Sequence, residues 1–189
     1  MIGDWYVWTS ALSAERCEDL ITRCSELEEQ QAHVGFRGQE EGIDLNLRRT
    51  KVSWVPKPGF EDLYDFIENY SSRVNRDFFG FDISYGINEV QFAKYDSRQL
   101  GHYGWHEDVF FKDSRPFDRK LSLVIQLSDP KTYEGGEFEF RGCDPLESER
   151  FLPQGSVIVF PSFQQHRVTE VTRGIRYSLT TWIDGPKWK

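Results

Sequence analysis

The sequence predicts a mainly β fold with flanking helices (α+β), in which helices near the N-terminus support a double-sheet jelly roll. Helical periodicity is confined to the first part of the chain, whereas short apolar or alternating runs fill the part after about residue 82. Gly and Pro turns separate these runs, as is typical of sandwiches and barrels. The 189 residues fit a single domain. We predict that residues 1–82 form its helical support and loop region and residues 83–189 its jelly-roll core.

Two helices are predicted in the first part of the chain. The first begins after Ser13, which can act as an N-cap, and carries Glu15 in its first turn. The second runs from about Gly59 to Phe78. Their apolar stripes are Cys17, Leu20, Ile21, Cys24 and Leu27 in the first helix, and Phe60, Leu63, Tyr64, Ile67, Tyr70 and Val74 in the second. Stripes of this width pack against a sheet, so we interpret them as structural.

Six short strands are predicted in the second part of the chain. In the first of them, Val90 and Phe92 face one side, and Gln91 and Tyr95 face the other. The turn at Gly135 and Gly136 requires the positive φ angles that glycine tolerates. The predicted strands are Asn88 to Tyr95, Leu121 to Leu127, Glu137 to Arg141, Ser156 to Phe160, His166 to Val168, and Ile175 to Asp184.

Residues 33–50 show little periodicity, carry many charges and include Gly35, Gly38 and Gly42. We interpret them as a mobile loop. It is either a solvated connection or a lid over a substrate site.

Composition excludes several classes of function. The net charge of -8 and the pI of about 5.1 oppose a general binder of nucleic-acid phosphates. The three cysteines provide no disulfide framework, because Cys17 and Cys24 would lie about 10 Å apart along a helix axis. The start of the chain lacks the features of a signal peptide, and no apolar run is long enough to cross a bilayer. We therefore expect reduced thiols, no membrane partner and a cytoplasmic location.

A metal site is indicated by two of the four histidines. On a strand, residues i and i+2 point to the same side, so His106 and Asp108 can offer an imidazole and a carboxylate to one metal. His166 follows a predicted strand and the Pro161 turn, and it would complete a set of two histidines and one carboxylate. Non-haem Fe(II) oxygenases use this set because it leaves open positions on the metal. A His-x-Asp pair alone has little specificity, so the downstream residues carry much of the prediction.

Arg176 fits the cosubstrate of such enzymes. In 2-oxoglutarate, one carboxylate and the keto group chelate iron, and the other carboxylate needs a fixed cation. The Arg176 side chain can bind that carboxylate with two parallel hydrogen bonds. Ser178 lies on the same predicted strand face and can donate another. The alternative is that Arg176 forms a surface ion pair.

These motifs resemble the prolyl 4-hydroxylase-like branch of the Fe(II)/2-oxoglutarate dioxygenases, in particular its small bacterial and phage hydroxylases. The resemblance spans about Asn88 to Pro186, with a weaker match from Arg48 to Trp54. It is carried by the blocks Gln91 to Tyr95, Tyr103 to Asp108, Leu121 to Leu127, Glu134 to Phe138, Gly155 to Phe160, His166 to Val168, and Arg173 to Trp182.

The resemblance implies a double-stranded β-helix (jelly roll) that binds Fe(II), 2-oxoglutarate and O₂, and it brings ascorbate into consideration as a reductant. Tyr95 would line the cosubstrate pocket and Trp182 would pack near the iron. Gln126 stands where some relatives have a tyrosine that reaches the cosubstrate, which leaves its own contact open. The implied iron ligands are His106, Asp108 and His166, and the implied carboxylate anchor is Arg176.

Several neighbouring residues have alternative interpretations. His102 would share a strand face with His106 in an unbroken strand, but Gly101 and Gly104 predict a break, so we interpret His102 as structural. Glu107 should point away from the metal. Three basic residues flank the loop after Asp108 and either border a substrate channel or are solvated. They are Arg115, Arg119 and Lys120.

The resemblance implies hydroxylation, because halogenating relatives lack the carboxylate that Asp108 provides. The first expectation is a prolyl residue in a peptide or protein substrate, as in procollagen-proline 4-dioxygenase. Hydroxylation of a free amino acid or another small metabolite, and a non-catalytic jelly-roll binding module, remain open alternatives. A nucleic-acid demethylase is disfavoured by the acidic charge.

Overall fold

The computed structural model describes residues 5–34, 42–109, 115–144 and 149–189. Within these ranges, two α-helices are present, α1 (Ala14–Ser25) and α2 (Glu61–Val74). The strands are β1 (Tyr6–Trp8), β2 (Gln30–Gln31), β3 (Arg48–Arg49), β4 (Lys51–Val55), β5 (Gly86–Asp96), β6 (His102–His106), β7 (Phe117–Gln126), β8 (Glu134–Gly135), β9 (Phe138–Phe140), β10 (Val157–Pro161), β11 (His166–Val168), β12 (Val171–Arg173) and β13 (Ile175–Pro186). None of the described helices is long and apolar enough to cross a membrane.

A seven-stranded antiparallel sheet forms the central layer, with the order β1-β10-β7-β13-β5-β4-β2. Its helix-facing side packs on α1 and α2 through an apolar core that includes Leu20, Ile67 and Leu123. Its other side faces the four-stranded sheet β3-β6-β11-β9 through a second core that includes Phe138 and Phe160. The predicted helix-supported double sheet is therefore confirmed.

Alternation along β5 assigns its side chains to the two cores as predicted. Val90 and Phe92 join the core under the helices, whereas Ala93 and Tyr95 face the four-stranded sheet. β13 pairs with β5, and Arg176 is the Cα partner of Tyr95. The side of the central sheet that faces away from the helices thereby carries the polar side chains described below.

Helix α1 follows the prediction, whereas α2 is shorter than predicted. The Ser13 side chain accepts a hydrogen bond from the Arg16 amide at 3.2 Å and caps α1. α2 ends at Val74, and the chain continues as a π-helical turn, Asn75–Phe79. The Asn75 side chain donates a hydrogen bond to the Phe81 carbonyl at 2.8 Å and accepts one from the Phe81 amide at 2.9 Å. These two bonds fix the backbone that follows the turn.

Short strands in the first part of the chain escaped prediction. β1, β2, β3 and β4 all join the two main sheets. Two or three residues are too few to show a period, and the five of β4 include Lys51 and Ser53, which obscure the pattern. The six strands predicted in the second part lie close to β5, β7, β9, β10, β11 and β13, whereas β6, β8 and β12 were not among the predicted strands. Gly135 and Gly136 have the predicted positive φ angles, 74° and 66°.

The predicted loop at residues 33–50 is only partly described. Val34 pairs with Gly42 in a β-bridge, and the Asp44 side chain accepts from the Asn46 amide in a turn that leads into β3. Gly35 and Gly38 lie outside the described residues. The lid interpretation stays a prediction.

Candidate active site

A cavity of about 430 Å³ lies between the two main sheets. Strands of both sheets contribute to its wall, so residues that are distant in sequence face each other across it. The lining from the central sheet includes Gln91, Tyr95, Val124, Arg176, Ser178 and Trp182, and that from the four-stranded sheet includes Arg48, Tyr103, His106, Phe138, His166 and Val168.

Three lining side chains converge on one point. His106, Asp108 and His166 each offer a ligand atom, and these atoms lie within 4.8 Å of one another. Nε2 of His106 is 3.7 Å from Asp108 Oδ1, and Nε2 of His166 is 3.6 Å from Asp108 Oδ2. His106 and His166 are also direct Cα partners across β6 and β11. The structure thus brings together all three residues that the sequence predicts as metal ligands.

The predicted reason for this convergence is wrong for Asp108. β6 ends at His106, so Asp108 does not lie on the same strand two positions later. Instead, the Asp108 amide donates a hydrogen bond to the Ser162 carbonyl at 2.8 Å. Because Ser162 directly follows β10, this bond turns the chain and directs the carboxylate towards the histidines.

Both imidazoles are oriented by backbone carbonyls. Nδ1 of His106 lies 2.8 Å from the Gly104 carbonyl, and Nδ1 of His166 lies 2.9 Å from the Gln164 carbonyl. A carbonyl only accepts, so Nδ1 of each ring carries a proton and Nε2 is the ring atom that faces Asp108 and is available to a metal. Burial, helped by nearby His166, lowers the pKa of His106 to about 3. This imidazole is therefore neutral, as a metal ligand must be.

The Asp108 carboxylate is buried and held by a hydroxyl. Ser122 donates to Asp108 Oδ2 at 2.6 Å and lies 3.0 Å from the Ser162 hydroxyl. Burial alone would raise the pKa of Asp108, but His166 and His106 outweigh it and hold this pKa at about 2. An ionised carboxylate and two imidazoles that turn Nε2 towards it form the donor set that suits non-haem Fe(II).

Arg176 lies in the cavity wall and is 2% exposed. That burial excludes the alternative of a surface ion pair. Its guanidinium donates to the Ser178 hydroxyl at 3.3 Å, and its Cζ lies 5.2 Å from the Tyr95 ring centroid. Arg176, Ser178 and Tyr95 are thus grouped as the prediction of a cosubstrate pocket requires.

Gln126 lies outside the cavity lining. It is buried, and its amide donates to the Tyr133 hydroxyl at 2.9 Å and to the Ser128 carbonyl at 3.2 Å. Tyr133 was not identified from the sequence. Its hydroxyl accepts a hydrogen bond from the Gln126 amide, the group that was predicted to contact the cosubstrate. A cosubstrate contact of Gln126 stays a prediction.

Trp182 lines the cavity, and an arginine side chain packs on its ring. The packing of Trp182 near an iron ion stays a prediction. Arg119 Cζ lies 3.7 Å from the Trp182 centroid, and this guanidinium pairs with Glu89 at 2.9 Å. Arg115 also lines the cavity, which favours the channel interpretation for these two arginines. Lys120 instead packs on Trp188 at 3.7 Å and does not line the cavity.

A stack of side chains beside the metal ligands was missed at the sequence level. The Tyr103 ring lies parallel to that of His106, with centroids 3.4 Å apart, and Arg48 Cζ lies 4.4 Å from the Tyr103 centroid. Between Tyr103 and His106, β6 holds one residue more than its partner β11. This bulge brings Tyr103 against His106. The weaker family resemblance from Arg48 to Trp54 was the one sequence feature that could have indicated a role for Arg48.

His102 is structural, as predicted, but for another reason. β6 runs unbroken through Gly104, and the bulge after Tyr103, rather than a break, separates the directions of His102 and His106. The His102 ring nitrogens lie 2.8 Å from the Leu100 carbonyl and 3.2 Å from the Asn46 carbonyl. Glu107 accepts from the Gln165 side chain at 3.0 Å and is not one of the converging ligands.

A sequence model described as the 2OG-Fe(II) oxygenase superfamily matches residues 90–184. The chain belongs to this family. The match includes all three metal-ligand candidates and Arg176, so the family resemblance expected from the sequence is confirmed. Membership implies Fe(II), 2-oxoglutarate and O₂ as the reacting groups, and the donor set described above fits that metal.

Curated relatives of this chain include PKHD-type hydroxylases. One from Hyphomonas neptunium is 41% identical over 83 residues, which cover 43% of this chain and 37% of the relative. Another from Prochlorococcus marinus is 37% identical over 103 residues, which cover 54% of this chain and 44% of the relative. The chain therefore matches less than half of the length of these relatives.

Solved structures share the fold of this chain over nearly its whole length. A viral collagen prolyl hydroxylase from Paramecium Bursaria Chlorella virus-1, in complex with 2-oxoglutarate, has a TM-score of 0.70 at 20% identity and covers 97% of both chains. A prolyl-4-hydroxylase from Pseudomonas putida has a TM-score of 0.68 at 21% identity and covers 98% of this chain and 94% of its own. At such low identity, the likeness establishes the jelly-roll fold.

Proposed function

We propose that the protein is an Fe(II)- and 2-oxoglutarate-dependent dioxygenase that hydroxylates a prolyl residue in a peptide or protein. The observation that carries this proposal is the convergence of His106, Asp108 and His166 in a cavity that also contains the buried Arg176. Two imidazoles and one carboxylate leave several coordination positions of an octahedral ion open. Arg176 provides a fixed cation for a dicarboxylate.

Each residue has a defined task in this proposal. Nε2 of His106 and of His166 and one oxygen of Asp108 hold the metal, and Ser122 fixes the carboxylate by its hydrogen bond. When bound, iron supplies the oxidative decarboxylation of 2-oxoglutarate to succinate and CO₂, with transfer of one oxygen atom to the substrate. Arg176 and Ser178 orient the cosubstrate through its distal carboxylate. Tyr95 and Trp182 exclude water from the wall.

The prolyl substrate is supported by the names of similar proteins. PKHD-type hydroxylases share a segment of the sequence, and prolyl hydroxylases share the fold. A small-metabolite hydroxylase is the second candidate, because a cavity of about 430 Å³ is within the range of small-molecule sites. A non-catalytic binding module would not require buried ligands of this geometry.

Binding of the metal and the cosubstrate is the primary test. Under anaerobic conditions, addition of Fe(II) and 2-oxoglutarate should produce the charge-transfer absorption of a chelated keto acid. Arg176→Gln should weaken 2-oxoglutarate binding by about 10- to 100-fold, because a charge-assisted pair is lost. The exposed Arg173, which pairs with Glu134, provides the control variant Arg173→Gln. A folded protein that binds neither Fe(II) nor 2-oxoglutarate would refute the proposal.

The substrate requires a second test. Succinate release is measured with proline-containing peptides and with free L-proline, followed by mass analysis for one added oxygen atom. A gain of oxygen in a peptide supports the prolyl proposal, and a gain only in the free amino acid supports the second candidate. Omitting ascorbate should lower the number of turnovers if it acts as a reductant in this enzyme.

A further inference from the structure

Arg48 is a buried cation in the cavity wall without a carboxylate partner among the described residues. It is 7% exposed and lines the cavity. Its Nη2 donates to the Gln91 side-chain oxygen at 2.6 Å, and its Nη1 donates to the His33 carbonyl at 3.4 Å. Its Nε is buried without a hydrogen-bond partner. Both acceptors are neutral.

The other charged side chains among the described lining residues are engaged, including Glu107, which accepts a hydrogen bond from Gln165. Asp108 faces the two histidines, Arg119 pairs with Glu89, and Arg176 serves the distal carboxylate of 2-oxoglutarate in the proposed function. A guanidinium that is removed from water without a counter-charge lowers the stability of the folded protein. A bound anion would offset that cost. Because the net charge of the chain is -8, the lack of a carboxylate beside Arg48 among the described residues is a local property of this cavity and does not follow from the composition.

The Arg48 region is separate from the proposed cosubstrate anchor. Gln91 and Tyr95 are four residues apart on β5, which is about 13 Å along a strand. Arg176 is the Cα partner of Tyr95, whereas Trp54 is the Cα partner of Gln91. Trp54 is 42% exposed and lines the cavity, so the Gln91 row lies towards the mouth. A substrate that enters by this route meets Arg48 and Gln91 beside the metal ligands.

We infer that Arg48 and Gln91 form an anion subsite that binds a carboxylate of the substrate. The inference rests on the proposed function and adds a substrate class to it, namely molecules with a carboxylate near the hydroxylated carbon. Gln91 accepts from Arg48 and holds its guanidinium in place, and Tyr103 supports the guanidinium from below. The carboxylate can belong to a free amino acid, to the C-terminus of a peptide, or to an acidic side chain next to the target residue.

Direct binding tests the subsite without turnover. Propanoate and propanamide differ only in the anionic group, and saturation-transfer NMR detects weak binding of each to protein that is saturated with metal and 2-oxoglutarate. Wild-type protein should bind propanoate at least about tenfold more tightly than propanamide. Arg48→Gln should abolish this preference, and Arg49→Gln, a change at the neighbouring position on β3, should preserve it. Equal binding of both probes to the wild type would overturn the inference.

A second variant protects the test against misfolding of Arg48→Gln. Gln91→Glu retains Arg48 and places a carboxylate at hydrogen-bond distance from it. The new carboxylate neutralises the charge of the Arg48 guanidinium. Its melting temperature should equal or exceed that of the wild type, and it should lose the preference for propanoate. If Gln91→Glu kept the preference, Arg48 would not be the anion-binding group.

Turnover distinguishes the sources of the carboxylate. Pairs of probes are L-proline and L-prolinamide, peptides with a C-terminal acid or amide, and peptides with Asp or Asn beside the proline. In the productive pair, Arg48→Gln should reduce the acid-over-amide ratio of kcat/KM by about 10- to 100-fold, with the Kd for 2-oxoglutarate unchanged. If Arg48→Gln instead raised the Kd for 2-oxoglutarate, Arg48 would be a cosubstrate-binding residue, and the inference would be overturned. Failure of the proposed function differs, because Fe(II) and 2-oxoglutarate would then not bind at all.

Discussion

The two sides of the central sheet use the same strands for opposite purposes. On the side that packs on the helices, β7 and β13 contribute Leu123, Ile125 and Leu179, all almost completely buried. On the side that faces the cavity, the intervening residues include Ser122 and Arg176, which are buried to the same extent. Burial of apolar side chains stabilises the fold, whereas burial of polar groups costs stability unless each finds a partner. Strand alternation therefore places the apolar residues of the helix-facing core and the polar residues of the candidate site on opposite sides of the same strands.

The largest expected effect is on the cavity side. Asp108→Asn keeps the shape of the side chain but removes the charge that binds the metal. We expect Fe(II) affinity to fall by at least about 100-fold and succinate release to be lost, while the melting temperature stays close to that of the wild type. Asp129→Asn, in a turn where the carboxylate accepts from the Lys131 amide, is the matched control. Succinate release at the wild-type rate would show that Asp108 is not a ligand.

The opposite result is expected on the helix-facing side. Leu123→Ala leaves a cavity in the core under α1 and α2, and it should reduce the free energy of unfolding by about 2–5 kcal/mol. Denaturant unfolding measures this loss. The kcat of the folded fraction should not change, because Leu123 does not line the active-site cavity. A large loss of kcat with little loss of stability would show that the two sides are not functionally separate.

The backbone at Gly136 packs closely against the Arg176 side chain in the cavity wall. A Cβ at this position would lie 2.8 Å from Val171 Cγ2 and 3.0 Å from Arg176 Cδ. Gly136→Ala should therefore displace Arg176 and raise the Kd for 2-oxoglutarate by about tenfold, a shift of roughly 1.4 kcal/mol. Titration with 2-oxoglutarate measures this change.

Gly142 provides the control for backbone strain. It also has a positive φ angle, 82°, but a Cβ there would meet nothing within 4 Å. Gly142→Ala should lower stability through the unfavourable φ and leave the Kd for 2-oxoglutarate unchanged. If both variants raised the Kd for 2-oxoglutarate equally, general destabilisation rather than displacement of Arg176 would be responsible.

The sequence was most informative where alternation and motif spacing were long enough to read. β5, β7 and β13 span ten or more residues, and their patterns predicted both which side each residue faces and where Arg176 lies. The candidate metal ligands were predicted from residue types and order, and the structure brings them together. Chemistry of this kind limits the choice of residues severely, because few side chains can bind Fe(II).

What could not be predicted depends on pairing between distant segments. The Asp108 carboxylate is directed by a backbone bond to Ser162, and no local pattern encodes that contact. The bulge in β6 exists only relative to β11, so neither the stacking of Tyr103 on His106 nor the direction of His102 was readable. β3 has two residues and brings Arg48 into the cavity wall. Such a short element has no period.

The cysteines give the smallest expected effect, and they sharpen the contrast between the two sides. Cys17 and Cys24 lie in the apolar core on the helix-facing side, where burial raises their pKa values to about 11 and about 12. Iodoacetamide at pH 8 reacts with the thiolate, so it should label partly exposed Cys143 first and the two buried thiols at least about 100-fold more slowly. Because these thiols hold their protons more tightly in the folded state, the stability that they contribute is complete below pH 9 and is lost as the pH rises through 11 to 12.

Peptide mapping by mass spectrometry measures the rate at which each cysteine is labelled, and Cys143→Ser leaves only the slow phase. Rapid labelling of Cys17 or Cys24 in the folded protein would show that the helices open readily from the sheet, which would contradict the rigid support that the apolar core is expected to provide.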